Sequence, residues 1–166
     1  NILAAWGPKA LSQALIDADP LLSTHCRFVS IHRHDEGFWP TSGRVHDGSP
    51  SIVNIPLRGR GFGDPDYLAV FEDVVIPLGL DFAPTLVIVS AGFDCADGDA
   101  LGRFKVSPEG FRCMTRLMQG LNVPTLLVLE GGYDVDAAQA EPHKALCDGV
   151  AASVQGLLEG PPLGPP

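Results

Sequence analysis

The chain is poor in basic residues. Eleven lysines and arginines stand against 20 aspartates and glutamates, a formal net charge of −9. Phosphate backbones are held mainly by Lys and Arg, so this balance argues against direct nucleic-acid binding. A basic protein partner stays compatible with it. Cysteine is sparse too: Cys26, Cys95, Cys113 and Cys147, with no Cys-x-x-Cys pair. Neither a zinc knuckle nor a dithiol redox pair is indicated, and reduced thiols in the nucleus or cytoplasm are expected. No apolar run reaches the roughly 18–20 residues that a membrane span needs, so no membrane association is expected. No signal peptide is visible, and the first residue is Asn1 rather than Met, so the natural amino terminus is expected further upstream.

What is present is enough apolar material for a core. Of 166 residues, 45% are hydrophobic. One domain of this size buries roughly 70% of the surface its unfolded chain exposes. A helix is expected from Pro8 to about Ala18. The run CRFVSI reads as a strand, and SIVNIPL as a shorter one. Between them, HRHDEGFWPTSGRVHDGSP is rich in Gly, Pro, Ser and Asp, which marks a long loop of the kind that often carries function. From Asp64 to Phe82 the periodicity is helical, with Asp64 as expected N-cap. TLVIVSA and PTLLVLE are continuous apolar strands. Ser107 as N-cap and Pro108 at the first helical position start another helix. A last helix is expected from about Pro142 to Leu158, and GPPLGPP is then a flexible tail.

Strands that are apolar on both faces and alternate with helices indicate an α/β fold with a parallel sheet. Ligands in such folds bind beyond the carboxyl ends of the strands. Asp94 and Tyr133 follow two consecutive strands there, so they are expected to share one crevice.

Asp94 closes the stretch SAGFD, where Ala91 and Gly92 let backbone approach a ligand closely. By pattern alone it is a metal ligand, a general base, or a capping or turn residue. Asp97-Gly98 reads as a turn, and Asp99 is expected to bond backbone amides of its own loop. In LEGGYD, two glycines precede Tyr133. Its phenol either donates to a developing oxyanion or packs at a sheet edge. His32, His34 and His46 share one loop, but their spacing matches no standard zinc site. RGRGFGDPDY is glycine-rich without a dinucleotide-binding context and reads as a turn ahead of a helix. Trp39 either walls a pocket or staples its loop to the core.

Taken together, SIHRHDEGFWPTSG, NIPL, GDPDYLAVF, PTLVIVSAGFDCADGDALG, SPEGF and LEGGYD resemble the zinc-dependent histone deacetylase family, in its class II-like form. The resemblance runs collinearly over residues 28–159. It implies a three-layer parallel sheet of the arginase/deacetylase type, incomplete at the N-terminal side. Residues 1–27 then form a divergent segment and 160–166 the tail. By resemblance, Asp94 is a zinc ligand and Tyr133 polarises the acetyl carbonyl. Trp39, Leu101 and Gly131 line the substrate channel. Leu101 suits acetyl-lysine peptides rather than polyamines. Ser30 and the Ile31 carbonyl match a monovalent-cation site, with potassium as the ion.

The family also carries an Asp-x-His motif ahead of its S-I-H-R strand. In register, those ligand positions fall near Ala5 and Gly7, neither of which binds zinc; LLSTHC looks like an insertion there. The implied activity is therefore removal of acetyl groups from lysine, with little or no turnover by this chain alone. The alternatives are an inactive homologue serving as a binding or corepressor module, and an acetylpolyamine amidohydrolase. The implied partners are acetylated lysine proteins or peptides and corepressor proteins. A parallel strand left as a raw sheet edge is a further expectation, with aggregation as its consequence.

Overall fold

A computed structural model describes residues 2–5, 18–39, 41–45, 49–133 and 143–162. The helix expected from Pro8 lies outside them, apart from Ala18, as does Gly7. The chain divides into two units. The first comprises Asn1–Gly59, Gly79–Ala91 and Val123–Leu129; the second comprises Arg60–Leu78, Gly92–Asn122 and Glu130–Pro166.

The first unit carries a five-stranded sheet built from β1 (Ile2–Ala5), β2 (Cys26–Arg33), β3 (Ile52–Leu57), β4 (Leu86–Ala91) and β5 (Thr125–Leu129), in the order β3-β2-β1-β4-β5. Every pairing is parallel. The four expected strands form where their β-branched and aliphatic runs lie. Phe28, Val29, Ile31, Ile52, Val87, Val89 and Ala91 are buried. β1 was not expected. It lies in the segment read as divergent, yet it occupies the middle of the sheet, with Ala5 registered against Val29 on one side and Val89 on the other. Four residues are too few to show a periodicity; their neighbours decide their conformation. The LLSTHC stretch, read as an insertion, has regular structure. Pro20–His25 form a helix, α1, that runs straight into β2.

β5 sits at one end of the sheet, and no strand among the described residues pairs on its far side. Parallel strands are usually covered on both faces. Here Leu126 is 52% exposed and Leu129 61%. A raw sheet edge was expected from the sequence; β5 and β3 are the two end strands among the described residues.

In the second unit, helix α2 (Asp64–Val70) starts after Gly63, and Gly63 is the N-cap. Asp64 is not. It is the first helical residue, and its carboxylate serves another helix: Oδ1 accepts from Ser107 N at 2.7 Å and Oδ2 from the Ser107 hydroxyl at 2.5 Å. Asp66 caps instead, accepting from Gly63 N at 2.9 Å. The helical run then widens into a π-turn over Phe71–Val75, in which Ile76 N–H reaches back to Phe71 O, before α3 (Ile76–Phe82). Pro77 explains the widening. Its ring would clash with a carbonyl one α-turn earlier, and one extra residue in the turn relieves this.

Ser107 does cap α4 (Pro108–Gln119), accepting from Gly110 N at 3.2 Å. Phe111, Met114 and Met118 are fully buried on one face. The last helix, α5 (Lys144–Glu159), packs on α4 through small residues. A Cβ on Gly149 would stand 2.9 Å from the Phe93 ring and 3.2 Å from the Phe111 ring; one on Gly156 would stand 2.6 Å from Arg112 O. Glycine lets the two helices approach this closely. At the rim, Arg112 bridges Glu109 on its own helix and Glu159 on α5.

Candidate functional site

The loop after β4 winds through a short 3-10 turn, Phe93–Cys95. Phe93 and Cys95 are buried and hold the turn down. Asp94 is lifted between them. Its carboxylate lies beside Gly92, where an added Cβ would come within 3.1 Å of Oδ1. Gly102 lies against the backbone of the same turn. A Cβ there would fall 1.6 Å from Asp94 O, so only glycine fits.

Burial pushes the Asp94 carboxyl above its ordinary range, and the nearby charge of Asp99 adds to this. The Cys95 thiol donates to Gly92 O at 3.5 Å. Burial raises this thiol and the Tyr67 hydroxyl too, Asp94 adding to each shift. Both therefore stay neutral. A carboxylate in such surroundings favours either a proton or a cation.

Asp99 behaves as expected and does more. Its Oδ1 accepts from Leu101 N at 2.8 Å and Gly102 N at 2.7 Å. Its Oδ2 accepts from Tyr133 N at 2.6 Å. Asp97-Gly98 makes the expected turn, with Gly98 at φ +103° and Asp99 N bonded to Ala96 O at 3.1 Å.

The LEGGYD stretch meets this loop directly, since Phe93 N donates to Gly131 O at 2.8 Å. The turns bearing Asp94 and Tyr133 are thus hydrogen-bonded neighbours. The Tyr133 ring folds back over Gly131, whose added Cβ would lie 3.3–3.6 Å from ring atoms and the hydroxyl. Tyr133 is 45% exposed and Leu101 53% exposed. Residues 134–142 lie outside the described residues.

The other expected site residues belong to the first unit. Ser30 is fully buried and Ile31 nearly so. The Ser30 hydroxyl meets His32 Nδ1 at 2.9 Å, and His32 Nε2 meets Gly43 O at 3.0 Å. A carbonyl only accepts, so Nε2 carries a proton and donates to Gly43 O. His34 packs edge-on against His32. His46 lies outside the described residues. Trp39 is 68% exposed. Arg33 stacks over Phe38 and bonds Asp35 at 2.6 Å, so Phe38 and the Arg33–Asp35 pair shape the start of the Trp39 loop.

Tyr67 and Gly102 were not singled out in the sequence. Tyr67 sits on the apolar face of a periodic helix, where nothing separates a core tyrosine from one under a carboxylate. The DALG context of Gly102 offered a glycine but not the backbone it would touch. Among the described residues, no three His, Cys, Asp or Glu side chains stand close enough to hold a metal ion. No helix among them is long and apolar enough to cross a membrane.

A parallel sheet with loops of this kind is shared with solved deacetylases. The structure of the histone deacetylase Clr3 superposes with a TM-score of 0.80 at 33% identity, covering 97% of this chain and 27% of that one. The family model described as Histone deacetylase domain matches residues 20–148. Human histone deacetylase 7 is 41% identical over 143 residues, 79% of this chain and 14% of that protein. Human polyamine deacetylase HDAC10 is 37% identical over 166 residues, 93% of this chain and 23% of that protein. The chain belongs to the histone deacetylase family. It spans less than a quarter of the length of these curated relatives.

Proposed function

We propose that this chain is the carboxyl-terminal part of a zinc-dependent lysine deacetylase domain, and that it contributes Asp94 to the metal and Tyr133 to the reacting carbonyl. The observation that carries the reading is the hydrogen bond from Phe93 N to Gly131 O, which makes neighbours of the two turns that bear these side chains. Family membership over residues 20–148 supports it.

Zinc catalysis takes about three protein ligands and one open position. The described residues do not fit that requirement, because Asp94 has no second and third donor beside it. No step is therefore assigned to zinc in this chain. What the chain's own groups do is definable. The Tyr133 phenol donates a hydrogen bond to the acetyl oxygen as negative charge develops on it, an interaction stronger in the transition state than in the ground state. By resemblance, Leu101 and Gly131 would present apolar surface to the lysine methylenes, and Trp39 carries an apolar ring suited to the same role. Leu101 carries no charge to meet a cationic polyamine, which favours acetyl-lysine proteins or peptides. Ser30 and the Ile31 carbonyl would serve a potassium ion. By itself the chain is expected to turn over little or nothing.

A second reading, an inactive homologue that binds acetyl-lysine or a corepressor, is favoured by Asp94 having no further metal donors beside it among the described residues. Elemental analysis separates them. The chain alone is expected to purify with well under one zinc per molecule. With its natural flanking sequence it should hold one zinc and hydrolyse an acetyl-lysine peptide, with loss on Asp94→Asn or Tyr133→Phe. A flanked protein that neither holds zinc nor turns over supports the binding module. Turnover indifferent to both substitutions sinks the proposal.

A further inference from the structure

We infer that Asp99 is a positioning residue for Tyr133: its carboxylate ties the tyrosine backbone to the loop carrying Leu101 and Gly102, and so sets where the phenol points. The inference deepens the deacetylase reading and rests on it for its catalytic meaning. Three amides converge on this one side chain, from Leu101, Gly102 and Tyr133, at 2.6–2.8 Å. Asp99 is only 5% exposed, so these amides take the place of water around it. Hydrogen bonds from backbone amides to a carboxylate are among the stronger ones in proteins.

The need for such a tie is local. Tyr133 follows Gly131 and Gly132, and Gly132 adopts φ +153°. Two glycines leave the approach to the tyrosine with the widest backbone freedom a chain can have. The Tyr133 side chain is 45% exposed and rests on Gly131, which has no side chain to grip it. The Phe93–Gly131 bond holds the first glycine of the pair at its carbonyl, and the Asp99–Tyr133 bond holds the chain just after the second. At its other oxygen Asp99 holds Gly102, which lies against the carbonyl of Asp94. One carboxylate therefore relates the phenol to the metal-ligand turn.

The chain contains two tyrosines, so labelling with [15N]tyrosine yields two amide signals. Tyr67 lies within a helix and serves as the folding control. In the unmutated chain the Tyr133 amide should exchange at least about tenfold more slowly than in an unstructured peptide, despite its exposed side chain. Its ring should show a nuclear Overhauser contact to Gly131. Asp99→Ala should abolish both effects and leave the Tyr67 signal in place. A Tyr133 amide in the unmutated chain that exchanges as freely as a peptide overturns the proposal, whatever the variant does. So does an Asp99→Ala protein that keeps the protection and the ring contact. In the flanked protein, Asp99→Ala should lower kcat at least about tenfold with KM little changed, and cost little further in a Tyr133→Phe background. Full additivity of the two substitutions overturns the positioning role. If the NMR results hold but the flanked protein shows no turnover, the deacetylase reading fails and the tether stands.

Discussion

Gly102→Ala tests the geometry at Asp94 most directly. The added methyl would fall 1.6 Å from Asp94 O and 2.6 Å from its carbonyl carbon, against the 3.4 Å at which ordinary contact begins. The obstacle is backbone, not the end of a flexible side chain. Either the Asp94 turn or the 101–102 loop has to move, and Asp99 grips that loop through two amides. Overpacking of this kind costs about 1–3 kcal/mol, and in a chain of this size each kcal/mol lowers the melting temperature by about 2–4 °C. A drop of about 2–12 °C is expected in a thermal melt followed by circular dichroism. In the flanked protein, displacing a reacting group by about 1 Å can cost on the order of 100-fold in turnover. Gly61→Ala is the control. Gly61 has φ +84° and open space where a Cβ would go, so it carries dihedral strain without the collision. If Gly102→Ala melts with the unmutated protein, or loses no more than Gly61→Ala, the close approach is not what holds this turn.

Three further outcomes follow from the same structure. Burial raises the Asp94 carboxyl, so in the metal-free chain its ionised form weakens the fold: the contribution is complete below the ordinary value of 3.8 and is lost as pH rises through the raised one. Asp94→Asn should therefore melt higher than the unmutated chain at neutral pH, with the gap closing in acid; a lower melting temperature at neutral pH contradicts this. The Arg112 guanidinium, with a smaller share from Cys113, pulls Glu109 down to about 2 from 4.5. A depressed carboxyl supports the fold above its ordinary value and loses that support as pH falls toward about 2. Glu109→Gln should flatten the acid limb of the stability profile, and added salt should shrink the difference because the pair is exposed; an unchanged acid limb would tell against it. Finally, Gly149→Val should push α5 away from α4 and from the Phe93 turn, since even a Cβ stands 3.2 Å from the Phe111 ring of α4 and 2.9 Å from the Phe93 ring. A loss of about 1–3 kcal/mol in chemical denaturation is expected, and a neutral result would mean the helices can part without cost.

The sheet shows what sequence patterns carry and where they stop. β2, β3, β4 and β5 were legible because a strand buried on both faces needs a run of β-branched and aliphatic residues, and CRFVSI, SIVNIPL, TLVIVSA and PTLLVLE are such runs. Ser107-Pro108 announced a helix start because capping chemistry is local. Asp64 misled for the same reason. A carboxylate at the head of a helix has the chemistry of a cap, and only the fold shows it spent on Ser107 while Asp66 does the capping. Pro77 in a helical pattern suggests a break; the π-turn that absorbs it is a backbone solution that composition does not reveal.

By itself, the amino-acid sequence determined β2 to β5, most helices, the Asp97-Gly98 turn and the motifs that carry the family resemblance, because each depends on residues close together in the chain. Tertiary structure alone decided that Ile2–Ala5 is the middle strand, that Gly102 touches Asp94, and that Asp99 reaches across 34 residues to Tyr133. Those contacts reach beyond a helical turn or a strand repeat, and no local periodicity or propensity encodes which backbone a small or charged residue will meet.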